Sequence, residues 1–356
     1  MSYTLGICAP YRRSEITLAA TRLADLGREL AMDVRFISIG PSQKNVDHTW
    51  DHRFRKVEKN DVYRLLYGCT HLVWFVHDKE LYKKSQLVSP NARHWFIPSW
   101  HQLDTRILRG LVGYSVVCPS RVIKAEIADR LQDETQLGAT WCLWDSGLDA
   151  VNRDGLCRTD EVGIYVPMSA RVIDECGYFV LAVVQDVLEL FPEVRFTLDF
   201  GKSWSRQARK HIQKLLKIYV DRLVCNYSSS LLLQCFKMHA HDWTWLPDTR
   251  ADIGIMAQRS LACGTPVITY DISPYQEFVS NEVTGLVIKC ELFSNRVGAP
   301  IAGPSLVSIV NTMTKAITGQ SELVSQCQKK IWKRESQHMK AFRLFWGEEW
   351  GVLSVK

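Results

Sequence analysis

A chain of 356 residues, 46% hydrophobic and without low-complexity segments, predicts two globular domains at roughly 100–200 residues each. Its formal net charge of +6 suits anionic ligands such as nucleotides and permits nucleic acid without requiring it. Eleven scattered cysteines with no C-x-x-C pair argue against a zinc site or a secreted disulfide framework and read as reduced cytosolic thiols, mostly in the core.

No run of about 18 apolar residues marks a transmembrane helix. The N-terminus, MSYTLGICAPYRRSE, lacks the basic leader and long apolar run of a signal peptide. Tyr3–Cys8 reads instead as a first strand. Ser14–Leu30 reads as a helix with an N-cap serine and an apolar face of Ile16, Leu18, Ala19, Leu23, Leu26 and Leu30. Strands follow at Val34–Ile39, His71–Val76, His94–Pro98 and Ser115–Cys118, with helices at Val62–Tyr67 and Pro119–Leu131. The stretch Trp144–Asp160, rich in Asp, Gly and Asn, reads as a link between domains.

The alternation then restarts. Strands are expected at Val162–Pro167, Arg195–Phe200, Leu223–Cys225, Trp243–Leu246 and Val267–Tyr270. Helices are expected at Gly177–Leu190, Ser205–Tyr219, Ser229–Ala240 and Gln258–Cys263. Two β-α series predict an α/β protein of two Rossmann-like, doubly wound parallel-sheet domains facing a cleft. Ligands of such sheets sit beyond the carboxyl ends of the strands. The expected division is residues 1–150, a linker at 151–160, a second domain at 161–325, and terminal helices at 326–356 packing back on the first domain.

The run "DWTWLPDTRADIGIMAQRSLACGTPVITYDISPYQEFVSNEVTGLVI" resembles the donor half of GT-B glycosyltransferases, most like the retaining family-four nucleotide-sugar enzymes. Leu246-Pro247, Gly254, Ala262-Cys263-Gly264-Thr265-Pro266-Val267, Asp271, Glu277 and Thr284-Gly285-Leu286 fall at family positions. Weaker likeness extends to "VVCPSRVIKAEIADRL" and "FPEVRFTLDFG". Gly264 suits a left-handed helix end, and Pro266 forbids the helix from continuing. The resemblance implies sugar transfer from a nucleotide diphosphate donor, UDP or another nucleoside diphosphate, to an acceptor hydroxyl, with retention of configuration. No D-x-D occurs, so no metal is expected, and arginine, lysine and helix dipoles meet the developing charge.

Within that resemblance, Thr265 and Glu277 belong to the donor segment. The family's two glutamates fall on Ala251 and Arg259. Arg259, at the start of the expected helix, reads either as a planar phosphate-binding fork or as an exposed helix arginine. Asp248 or Asp252 replaces a lost carboxylate. Arg171 in "SARVIDECG" stands where the family's diphosphate arginine does, while Cys176 takes the place of its lysine. The plain alternative for Arg171 is a surface salt bridge with Asp174 or Glu175. Lys202 supplies a second cation or is a solvated loop lysine. The first loop carries Tyr11, Arg12 and Arg13, cations and a ring for phosphate or acceptor where the family has glycines. His101 and His77, each ending an apolar run, match histidines that approach the transferred sugar.

The acceptor is the least legible part. Twelve tryptophans, among them Trp50, Trp74, Trp95 and Trp100, serve sugar or base stacking or plain core packing. Basic groups at 51–59, 202–217 and 329–343 fit duplex DNA, an anionic membrane, or solvated faces. A hydroxymethylated base in DNA is the acceptor expected. A polysaccharide or lipid-linked sugar, and an inactive sugar-nucleotide-binding protein, are the alternatives. A cytoplasmic location is expected, and membrane association is not.

Overall fold

The computed structural model describes residues 3–10, 15–39, 61–76, 78–98, 114–131, 161–200, 205–227, 231–250, 254–294 and 300–353. The chain divides into two units, Met1–Gly147 with Gln337–Lys356, and Leu148–Ser336. The expected Trp144–Asp160 link lies outside the described residues.

The first unit contains β1 (Thr4–Pro10), α1 (Glu15–Glu29), β2 (Asp33–Ile39), α2 (Asp61–Leu66), β3 (His71–Trp74), α3 (Lys79–Val88), β4 (Arg93–Phe96), β5 (Ser115–Val116) and α4 (Arg121–Leu131). Among the described residues its five strands are all parallel, in the order β2-β1-β3-β4-β5. A parallel sheet covered on both faces needs near-continuous apolar strands, and β1 is buried at all of its residues but the last. Helix α3 is an element the sequence reading missed. Asp78 caps it, its carboxylate accepting from Leu81 N at 2.9 Å.

Trp74 and Trp95 belong to the core, not to a stacking surface. Trp74 Nε1 donates to His94 Nδ1 at 3.2 Å, and the two rings stack. His71 stacks on Trp95, whose indole N–H donates to Glu349. Trp50 and Trp100 lie outside the described residues.

The second unit contains β6 (Val162–Met168), α5 (Ala170–Leu190), β7 (Val194–Phe200), α6 (Arg206–Ile218), β8 (Leu223–Tyr227), α7 (Leu231–His239), β9 (Trp243–Trp245), α8 (Ile255–Ala262), β10 (Val267–Tyr270), α9 (Tyr275–Phe278), β11 (Gly285–Ile288), β12 (Cys290–Ser294), β13 (Pro300–Pro304) and α10 (Leu306–Thr318). The last helix, α11 (Gln320–Glu349), begins in this unit and ends in the first. Six parallel strands run β11-β10-β9-β6-β7-β8. Counted from β6, that is the doubly wound order, with its reversal between β6 and β9. β12 and β13 form a separate antiparallel pair.

Gly264 ends α8 at φ 73°, as the sequence predicts. A side chain there is barred twice over. The conformation disfavours one, and a Cβ would stand 2.6 Å from the Trp332 ring. Two helices begin earlier than expected. α5 starts at Ala170 because the Ser169 hydroxyl caps it, accepting from Val172 N. α8 starts at Ile255, after Gly254 in a left-handed conformation. Among the described residues no helix is long and apolar enough to cross a membrane.

Burial pushes the pKa of both His94 and His71 down to about 4, and Arg93 adds to the shift at His71. Trp74 already donates to His94 Nδ1, so that ring is neutral. The folded values lie below the unfolded value of about 6.5. Each histidine therefore contributes stability that is full above about pH 6.5 and lost as the pH falls toward 4. Urea unfolding of the first unit is expected to weaken over that window by at most ~1.4 kcal/mol per pH unit for each histidine. His94→Gln should flatten the slope, and an unchanged slope would refute the assignment.

Candidate functional site

Where the strand order reverses, the connections after β6 and β9 leave toward opposite sides of the sheet and open a crevice at its carboxyl edge. Arg171 lies in the first turn of α5, directly after β6, and Asp248 lies three residues beyond β9. Arg171 Nε donates to Asp248 Oδ1 at 3.0 Å, closing an ion pair across this point. Both groups are largely buried, with side chains 25% and 11% exposed. The partner expected for Arg171 on surface grounds was Asp174 or Glu175; the structure supplies Asp248, 77 residues away.

The segment after β9 is stitched to α5 by two further contacts. Cys176 Sγ donates to the Pro247 carbonyl at 3.4 Å, and Arg250 pairs with Glu175 at 3.6 Å. Burial, followed by the charges of Asp248 and Glu175, pushes the Cys176 thiol up to about 12. Cys176 therefore stays a neutral donor and brings no charge where the resemblance implies a lysine.

The carboxyl end of β10 adds hydroxyls. Tyr270 Oη, Thr269 Oγ1 and Ser273 Oγ are buried without a hydrogen-bond partner. Burial holds the Tyr270 phenol protonated, and the charges of Cys176, Cys290 and Asp248 act in the same direction. Orphaned buried hydroxyls in a native fold call for a reason, and a bound ligand is one. Asp271 follows, accepting from Gln276 at 2.8 Å and Lys289 at 3.0 Å. Burial draws its carboxyl pKa upward, but those two hydrogen bonds and the Lys289 charge outweigh it and hold the group below its ordinary value. Sequence reasoning passed over Tyr270 and Ser273; the available signal was a polar side chain at the end of a buried strand.

Helix α8 starts at this edge. Gly254 brings no side chain to cap it, unlike Ser169 at α5. A Cβ at Gly254 would meet the Phe278 ring at 2.9 Å, so the turn packs closely on α9. Glu277, on α9, is half-buried, and its carbonyl accepts from Arg334 Nη2 at 2.8 Å. The β12–β13 pair is tied to the same edge through Ala302 N, which donates to Thr249 O at 2.7 Å.

Two expected donor residues sit elsewhere. Arg259 is in the last turn of α8, not its first, and is 6% exposed. Its Nη2 lies 3.0 Å from Cys235 Sγ and its Nη1 3.4 Å from Gln234 Oε1, both on α7. Thr265 precedes β10 at the amino end of that strand, fully buried, and its hydroxyl donates to the Met238 carbonyl at 2.7 Å. It fastens α7 to the turn after α8 and is remote from the strands' carboxyl ends. His77, His101, Lys202, Tyr11, Arg12, Arg13, Ala251 and Asp252 lie outside the described residues.

No family model matches the chain, and no curated protein matches its sequence. Solved structures do resemble it. A glycosyltransferase from Rickettsia africae aligns over 100% of both chains with a TM-score of 0.68 at 13% identity. Anabaena HepE in complex with UDP aligns over 99% of this chain and 100% of its own, with a TM-score of 0.66 at 12% identity. The pneumococcal O-GlcNAc transferase GtfA, in complex with UDP and GlcNAc, aligns over 99% of this chain and 100% of its own, with a TM-score of 0.67 at 8% identity. The chain has the GT-B fold. At these identities the likeness is one of fold, and the arginine–carboxylate pair at the reversal point belongs to this chain's own residues.

Two hydroxyls of this GT-B chain should respond oppositely to removal. Thr265→Val breaks a made bond and should lower the urea stability of the second unit by about 1 kcal/mol. Tyr270→Phe removes an unpartnered hydroxyl and should leave the ligand-free stability equal or higher. A loss at Tyr270 as large as that at Thr265 would show that its hydroxyl has a structural partner.

Proposed function

We propose that this GT-B chain is a glycosyltransferase that moves a sugar from a nucleotide diphosphate donor, a UDP-sugar foremost, to an acceptor hydroxyl. The observation that carries the reading is the Arg171–Asp248 pair at the strand reversal, beside unpartnered Tyr270 and Ser273 hydroxyls. The full-length likeness to HepE bound to UDP and GtfA bound to UDP and GlcNAc supports the class of donor.

In this reading Arg171 is the cation that meets the diphosphate, and Asp248 orients its guanidinium. The uncapped start of α8 adds N–H groups and the positive end of a helix dipole. As the sugar–phosphate bond breaks, charge grows on the leaving diphosphate, and these fixed groups stabilise it without a metal ion. Ser273 and Tyr270 supply hydroxyls to the donor, and Glu277 contributes from α9. Lys202, Tyr11, Arg12 and Arg13 are proposed as further phosphate or acceptor contacts, and His101 and His77 as contacts of the transferred sugar. Arg259 acts indirectly, by fixing α8 against α7. Retention of configuration and a family-four relationship rest on the resemblance in Asp242–Lys289.

For the acceptor, α6 favours a polyanion. Arg206, Arg209, Lys210, Lys214 and Lys217 are all exposed, and the helix has no acidic residue. A hydroxymethylated base in duplex DNA is the proposed acceptor. Its binding should weaken steeply with added salt, and salt-independent binding would favour a neutral glycan.

Arg171→Ala should lose charge-assisted hydrogen bonds of about 1.5–3 kcal/mol, raising the Kd for UDP roughly 10- to 100-fold in calorimetry. Unchanged UDP affinity would remove Arg171 from the site. Failure of every UDP-sugar to be transferred or hydrolysed, with UDP still bound, would leave a sugar-nucleotide-binding protein.

A further inference from the structure

Beneath α7 and α8 lies a pair of thiols that sugar transfer does not use. Cys235, Cys263, Tyr165 and Met238 pack in one buried cluster, with Met256 against it. Cys235 is on α7, and Cys263 is the C-cap of α8. The Cys263 backbone is fixed, its carbonyl bonded to His239 Nδ1 at 2.9 Å and its N–H donating to Arg259 O at 2.9 Å. Two features make Cys235 unlike the other described cysteines. It shares its buried cluster with a second thiol, Cys263, and the Arg259 guanidinium lies 3.0 Å from its sulfur.

A buried guanidinium beside a sulfur favours the thiolate, the nucleophilic form. The neighbouring Cys263 thiol and then the Arg259 charge outweigh burial and hold the Cys235 thiol below its ordinary value. Burial, the largest cause at each, pushes other thiols the opposite way. Cys118 stands at about 12, and Cys8 is raised well above its ordinary value. The four differ little in exposure, all being buried, so the contrast is one of charge environment.

We infer that Cys235 and Cys263 are a redox-modifiable dithiol, which hydroperoxides convert to a disulfide joining α7 to α8. The Cys235 thiolate attacks one peroxide oxygen. The O–O bond breaks, Cys235 becomes a sulfenic acid, and hydroxide leaves. The Cys263 thiol then attacks the sulfenic sulfur, the S–O bond breaks, and water leaves with the Cys263 proton. Two thiols are oxidised and one peroxide is reduced. Arg259 is the positioning residue that holds Cys235 as thiolate, and the disulfide removes the anion it faces.

The test reads thiols and not sugar transfer, so it stands apart from the donor reading. The full-length protein is treated with stoichiometric hydrogen peroxide, blocked with an alkylating agent, and digested for mass spectrometry. A Cys235–Cys263 linked peptide is expected, forming at least tenfold faster than Cys8 or Cys118 is oxidised and reversing with dithiothreitol. In Cys263→Ser, dimedone should trap the Cys235 sulfenic acid. Arg259→Met should slow Cys235 oxidation about tenfold, and Arg259→Lys, which keeps the charge, should restore part of the rate. The wild-type and Cys263→Ser measurements decide the matter if either Arg259 variant fails to fold. Absence of the linked peptide, or Cys235 oxidising no faster than Cys118, would overturn the inference.

Discussion

The reversal of strand order between β6 and β9 is the constraint on which the second unit's site depends. Every parallel strand must be followed by a crossover, and here two neighbouring strands send theirs in opposite directions. The crevice this leaves is a product of topology, not of any one side chain. Arg171 and Asp248 span it at 3.0 Å because each lies just past the end of one of the two strands. The Ser169 cap, the Cys176 bond to Pro247 and the Arg250–Glu175 pair then hold the edges in register. Chemistry that needs a preorganised cation gains from such redundancy, since little rearrangement is left for the moment of reaction.

The same sheet also buries charge among its covering helices. Asp199 accepts from Tyr165 Oη at 2.8 Å and faces Lys237 at 3.6 Å, while its Oδ1 has no partner. Arg259 lies buried against Cys235. Charges in an apolar layer are unfavourable unless each finds an opposite or a hydrogen bond. These groups therefore specify how α7 and α8 meet the strands, since a slipped helix would strand them. The thiol at Cys235 shares this polar layer, so the features that fix the packing also make that sulfur reactive.

Much of the architecture is legible in the residues, for identifiable reasons. Val267–Tyr270 is delimited to the residue, since Pro266 closes one end and Asp271 the other. Strands of the parallel sheets stand out as short apolar runs. Helix starts are harder to see. α5 begins seven residues before the expected Gly177, within a stretch whose polar residues mimic a loop, and α8 opens on a left-handed Gly254 that resembles no ordinary cap. α3 carried a readable signal in Asp78 and its amphipathic spacing, but its core contribution is only Tyr82 and Ser85. The site divides likewise. Arg171 and Asp248 are separately visible as candidates, yet their pairing is a property of the fold. Arg259 is misplaced because a motif aligned by spacing says nothing about which way a side chain turns.

The first unit is assembled from two stretches of chain that are far apart in sequence. Its core includes Phe342, Trp346 and Trp350, all fully buried, and the Trp95 indole bonds to Glu349. Synthesis proceeds from the N-terminus, and domains tend to fold as they emerge. The second unit is contiguous and gains its last large contact when Trp332 settles over Gly264. The first unit, though made first, must wait for the final turns of α11 to fill its core. On the ribosome the order of completion is thus the reverse of the order of synthesis, and the N-terminal half leaves its core unfilled in the interval.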